Sequence, residues 1–179
     1  MKSTQLTFIC HALTDAQRVG RFHSMEDGLR RSVEPQDWAG QGARVLIAPE
    51  LRTRQTAEGL GLSGQLDSTL RDCDFGRWQG VSLKRLEQDD PTGLQQWLSD
   101  PQAAPHGGES VAQVCTRVAS WMDDTLLPGS WLVVTHPMVI RAALRHVLEC
   151  PLAALQHIDV LPLAQVRLSR FGRWRLRIE

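Results

Sequence analysis

Thr4-Gln5-Leu6-Thr7-Phe8-Ile9-Cys10 runs into His11, and Ser130-Trp131-Leu132-Val133-Val134-Thr135 runs into His136. Both stretches are short, apolar and bounded by polar residues, as buried strands are, and each delivers a histidine where the strand ends. Outward from them the chain alternates. Helical stretches are predicted within 15–42, a strand at 43–48, a helix at 51–61, and a strand-like Gln65-Leu66-Asp67. A turn-rich stretch from Arg71 to Gly80 and short helices around 82–99 follow, expected to form a lid or wall over a site rather than core, and Ser110 with Gln113 forms a capping box for a helix running to about Leu127. Val111, Val114, Val118, Trp121 and Met122 recur there at helical spacing, which puts Trp121 in the core. A helix at 137–148 and strands near 164–170 and 173–178, joined at Gly172 as a hairpin, complete the pattern. Alternating strands and helices predict an α/β fold. In such folds the ligand crevice lies at the carboxyl ends of the strands, so the two imidazoles are candidates for one site.

At 179 residues with 42% hydrophobic side chains, the chain is expected to form a single domain over 1–179. Its 20 basic and 20 acidic residues cancel, so no overall field draws it to nucleic acid or to an anionic membrane. The apolar runs are strand-sized, and Met1-Lys2-Ser3-Thr4 leads into a strand without a secretory signal, so a cytoplasmic location is expected. Cys10, Cys73, Cys115 and Cys150 are scattered, with no C-x-x-C pair, which suggests reduced thiols and no zinc site.

Five segments, in order, carry a family resemblance. Cys10-His11-Ala12-Leu13-Thr14 resembles a degenerate Arg-His-Gly-x-Thr signature of the histidine phosphatase superfamily, the phosphoglycerate-mutase-like proteins. Ala48-Pro49-Glu50-Leu51-Arg52-Thr53-Arg54-Gln55-Thr56-Ala57 resembles the family's Ser-x-Leu-x-Arg-Ala-x-Gln-Thr-Ala segment, and the turn-rich stretch from Leu70 to Gly80 resembles its acid-bearing loop. Gly107-Gly108-Glu109-Ser110 and the stretch from Val134 to Arg141 resemble two more. The resemblance implies a three-layer fold, with a mostly parallel central sheet and helices on both faces. It also implies a phosphatase of small phosphorylated metabolites that uses neither metal nor other cofactor, and it admits a homodimer.

The chemistry implied is phosphoryl transfer: a neutral imidazole attacks phosphorus, a carboxylic acid protonates the departing alkoxide, and cations hold the equatorial oxygens. By resemblance His11 is the nucleophile, Asp72 the general acid, His136 the second histidine and Arg52 the phosphate clamp. Asp74 and Glu109 are alternatives for the acid, and Cys10, Thr14, Glu109 and Ser110 are expected close to substrate. Pro137 suits the first turn of a helix whose N-terminus could face an anion.

Several positions depart from the family. Cys10 stands where the family has an arginine, Ala12 replaces a glycine, and Gln17, Ala48 and Pro137 replace asparagine, serine and glycine. A missing guanidinium removes charge-assisted hydrogen bonds worth roughly 1.5–3 kcal/mol each, so impaired activity, with binding of a phosphorylated or anionic ligand retained, is the alternative. Arg18 and Arg21, in the loop after His11, are the candidates to restore the charge, whereas Arg141, five residues along a helix from His136, is expected to turn away. A cysteine nucleophile is disfavoured, because the cradle that activates such a thiolate ends in an arginine that position 16 lacks.

Overall fold

The computed structural model describes residues 3–35 and 42–178. Strand β1 (Thr4–Cys10) is followed by a single turn of helix, α1 (Asp15–Arg18), then β2 (Arg44–Ile47), α2 (Leu51–Gly59) and the short β3 (Gln65–Leu66). Two 3-10 turns, Ser68–Leu70 and Gly76–Trp78, lead to α3 (Leu83–Asp89), α4 (Pro91–Ser99) and α5 (Val111–Asp124). The chain closes with β4 (Gly129–Thr135), α6 (Pro137–Leu148), a 3-10 stretch at Leu152–His157, and the hairpin of β5 (Gln165–Phe171) and β6 (Arg173–Arg177).

The six strands form one sheet in the order β3-β2-β4-β1-β5-β6. β1, β2, β3 and β4 are parallel, while β5 runs antiparallel to β1 and β6 antiparallel to β5. Alternation along the strands feeds two cores. Leu6, Phe8, Cys10, Leu46 and Val133 pack toward α3, α4, α5 and α6, and Ile9, Ile47, Leu132 and Val134 pack toward Ala57 and Leu60 of α2. This is the expected three-layer α/β architecture with helices on both faces, and Trp121 lies in its larger core.

Two expectations are corrected. Between 15 and 35 only α1 is helical; Gly20, at φ +64°, ends it, and the rest is held by turns and the isolated bridges Thr14↔Leu29 and Arg21↔Ser82. That stretch lacks an apolar stripe of helical period, so nothing would reward a longer helix. The part of the expectation on residues 36–41 lies outside the described residues. The turn-rich 70–80 segment, expected to cover a site rather than join the core, does both. Leu70, Cys73, Phe75 and Trp78 are buried in the core while Asp72 faces the site.

The segment is held by close backbone approach. A Cβ on Gly108 would lie 2.0 Å from the Asp74 carbonyl oxygen, and one on Gly76 would lie 2.2 Å from that of His106. Only glycine allows the two loops to lock together, with the Glu109 N–H donating to the Asp74 carbonyl at 2.8 Å and the Gly108 N–H to His106 Nδ1 at 3.0 Å. The Gly107-Gly108-Glu109-Ser110 motif thereby sets the position of the loop that carries Asp72.

Candidate active site

β1 and β4 are adjacent and in register, with Cys10 opposite Thr135, so His11 and His136 leave the sheet side by side. Strand spacing then puts the imidazoles together. The His11 N–H donates to the Thr135 carbonyl at 2.9 Å, and the two rings lie 5.3 Å apart between centroids. β2, on the other side of β4, ends at Ile47 opposite Val134, so Glu50 and Arg52 at the start of α2 reach the same ground.

His11 Nδ1 lies 2.8 Å from the Ala12 carbonyl oxygen, an acceptor, so Nδ1 carries the proton and Nε2 presents a lone pair. Nε2 is buried without a hydrogen-bond partner. Burial, with the neighbouring His136, pushes the His11 pKa down to about 3, which leaves the ring neutral near pH 7. The Ala12 N–H in turn donates to Thr56 Oγ1 at 3.0 Å, anchoring the segment to α2.

His136 caps α6, and its Nε2 lies 2.7 Å from Glu50 Oε2. Its Nδ1, buried without a hydrogen-bond partner, is 3.5 Å from Asp72 Oδ2. Glu50 uses its other oxygen to accept the Asp72 N–H at 2.9 Å, so one carboxylate orients the histidine and anchors the acid loop. Arg52, buried on the first turn of α2, donates from Nη2 to Asp72 Oδ2 at 2.7 Å and from Nη1 to the Ser24 carbonyl at 2.9 Å. Its Nε has no partner. Burial opposes ionisation of Asp72, yet His136 and Arg52 outweigh it and hold the carboxyl well below the usual carboxylate range.

His11, His136, Arg52 and Asp72 are thus brought together at the carboxyl ends of the parallel strands. The two imidazoles are fully enclosed, however, and neither is among the residues that line the two cavities beside them. His23 and Asp72 border two cavities, of about 320 Å³ and about 230 Å³, and cover the imidazoles between them. The His23 ring meets His11 edge-on at 5.5 Å, and burial pushes its pKa down to about 4.

Other expected site residues lie elsewhere. Arg18 is half-exposed beside Asp15, too far round α1 to face His11, so it does not replace the charge missing at position 10. Arg21 reaches the larger cavity, but two bonds to Asp27 neutralise it. Arg141, expected to turn away, lines that same cavity. Rotation about the helix axis misjudged it, because a helical side chain leans toward the N-terminus and arginine is long. Glu109 is not among the residues that line these two cavities; Arg117 grips it at 2.8 Å from both Nε and Nη2. Ser110 caps α5, where its hydroxyl accepts the Gln113 N–H. Thr14 caps α1 and reaches the site through His23, with Oγ1 2.8 Å from His23 Nε2. Asp74 accepts the Gly76 N–H, as a turn residue does. Cys10 is buried in the larger core, where desolvation pushes its thiol up to about 12 and leaves no thiolate.

Glu50 and His23 are the residues that the sequence reading missed. Glu50 stood in a quoted motif, and a carboxylate just past a parallel strand, at a helix start, is a signal that could have been used. His23 sits in an irregular loop and had none.

Among the described residues no group of three or more His, Cys, Asp or Glu side chains is arranged to hold a metal ion, and no helix is long and apolar enough to cross a membrane. Residues 35–179 match the family model of the histidine phosphatase superfamily (branch 1), a range that begins after the His11 segment. Bifunctional protein Rv2228c of Mycobacterium tuberculosis is 31% identical over 136 residues, 72% of this chain and 37% of that protein. Glucosyl-3-phosphoglycerate phosphatase of the same organism is 30% identical over 129 residues, 65% of this chain and 58% of the enzyme. The chain therefore spans well under two thirds of the length of these curated relatives. A mycobacterial glucosyl-3-phosphoglycerate phosphatase solved with VO3 superposes with a TM-score of 0.76 at 25% identity, covering 97% of each chain.

Proposed function

The chain belongs to the histidine phosphatase superfamily, and from that premise we propose that it hydrolyses a small phosphomonoester through a phosphohistidine on His11. One observation carries the reading: a buried imidazole nitrogen, His11 Nε2, deprotonated and without a partner, beside His136 and Arg52. Nε2 attacks phosphorus, the P–O bond to the leaving group breaks, and the alkoxide takes a proton. Water then attacks phosphorus, the P–N bond breaks, and inorganic phosphate leaves. Substrate oxygens compete with Asp72 for Arg52; once that ion pair loosens, the Asp72 carboxyl gains proton affinity and can serve as the acid. Glu50 fixes the His136 ring through Nε2, so its Nδ1 faces the Asp72 carboxyl on the His11 side of the site and is available to the transferred group once Asp72 shifts. The step requires no metal, and residues 1–179 act as one domain.

A second reading is a family member that binds a phosphorylated ligand without turnover. It draws on Cys10, an uncharged core residue where the family has an arginine, and on the closed cover over both imidazoles. A screen of phosphorylated metabolites, with His11→Ala as control and chelator in parallel, separates the two. Turnover lost in His11→Ala, kept with chelator and accompanied by an acid-labile phosphoramidate on His11 supports the enzyme. Binding without turnover on any substrate supports the second reading.

A further inference from the structure

Resting on the phosphatase reading, we propose that the leaving group of the substrate is an apolar or aromatic body bearing a second anionic group, and that Arg141 holds that group. The site is the cavity of about 320 Å³ that borders Asp72 and His23, the two residues covering the imidazoles. The smaller cavity shares both residues but is lined by Glu50, Arg52, Arg71 and Asp74, so the leaving group of a phosphoryl group seated on His11 is assigned to the larger, more apolar one.

The lining decides what fits. Phe22, Phe75, Leu83, Pro137, Met138 and Val160 give it mostly carbon. Its one uncharged amide, Gln17, spends its Oε1 on the cap of α1, where it accepts the Thr14 N–H, and keeps only its Nε2 for a ligand. A glycosyl group would turn most of its hydroxyls toward carbon, at the cost of each unmade hydrogen bond. An apolar body loses nothing there.

The charge in the cavity is unevenly spent. Arg52 is paired with Asp72 and Arg21 with Asp27. Arg141 donates from Nε to the Ile158 carbonyl at 2.6 Å, and among the described residues no carboxylate pairs with it. That backbone bond fixes the guanidinium plane and leaves the two terminal nitrogens as an end-on fork, the geometry that matches a carboxylate or phosphate. Arg141 stands one turn after Met138 on the wall formed by α6, and leans toward the His136 end of the helix. Its charge is felt at Cys10, where it opposes the larger upward push of burial on the thiol.

The test uses 4-carboxybenzyl phosphate, its methyl ester and glucose 6-phosphate; the two benzylic leaving groups differ little in basicity. The expected kcat/KM favours the acid over the ester by about tenfold or more, with glucose 6-phosphate below both. Arg141→Gln should bring the acid-to-ester ratio close to unity, and Arg141→Lys should restore part of it; circular dichroism confirms that each variant is folded. Calorimetric binding of the same compounds to His11→Ala reads the site without turnover. Hydrolysis with no preference for the acid, a preference that survives Arg141→Gln, or glucose 6-phosphate as the best of the three overturns the proposal. If nothing is hydrolysed but His11→Ala binds the acid about tenfold tighter than the ester, and addition of Arg141→Gln equalises them, the anion site stands and the phosphatase reading falls. Equal or absent binding of both overturns the anion site.

Discussion

Two arginine clusters, one buried and one largely so, hold the loop that carries Asp72, and they differ in what they leave unmade. Arg117 on α5 grips both oxygens of Glu109 and donates to the carbonyls of Thr69, Arg71 and Asp72. Arg52 on α2 binds Asp72 and Ser24 but leaves Nε without a partner, and its neighbours His11 and His136 each leave a buried nitrogen unbonded. An unmade hydrogen bond in a protein interior costs free energy that folding alone would not select. The satisfied cluster is scaffold; the unsatisfied one is arranged for a ligand.

The comparison breaks first at His11. His11→Ala should lower kcat by roughly 10⁴-fold or more with little loss of stability, measured by steady-state kinetics beside thermal unfolding. Retained turnover would remove the nucleophile assignment. Next, Arg52→Met should cost about 10²- to 10³-fold in kcat/KM, because the charge it supplies strengthens as the phosphoryl oxygens gain charge. Arg117→Met should invert the pattern and destabilise the fold by about 2–3 kcal/mol, since it leaves the largely buried Glu109 carboxylate with a 3.5 Å contact to Arg71 in place of two 2.8 Å bonds. Equal effects of the two substitutions on activity and on unfolding would erase the distinction.

Glu50→Gln should lower kcat by on the order of 10²-fold while KM changes little, as a carboxamide has one acceptor oxygen where Glu50 uses two, for the His136 ring and the Asp72 N–H, and carries no charge. The last effect is read on acid stability rather than on turnover. His11 and His23 titrate at about 3 and about 4 in the fold, below the ordinary value of 6.5, so the unfolded chain binds more protons between those limits. Stability should be level above pH 6.5 and fall as the pH drops from there toward 4, by at most about 1.4 kcal/mol per pH unit for each ring. His23→Gln should flatten that slope in urea titrations; an unchanged slope would show that His23 is free to protonate in the fold.

Much of this was legible in residues 4–11 and 130–136. Period-two burial, the strand-end histidines and the helix starts at Ser110 and Pro137 follow from local chemistry, and the sheet and both site histidines came with them. The order of family segments placed Arg52 and Asp72 as well. Only the tertiary structure decided the rest, because it depends on which distant chain segments meet. Register between β1, β4 and β2 brings Glu50 to His136 across 86 residues, and the irregular loop after α1 sets His23 over His11. The same packing turns Glu109 toward Arg117, and aims Arg141 into the cavity. A sequence sets which side chains carry charge, but whether a charge is spent on a neighbour or kept for a ligand is settled by partners that no local pattern names.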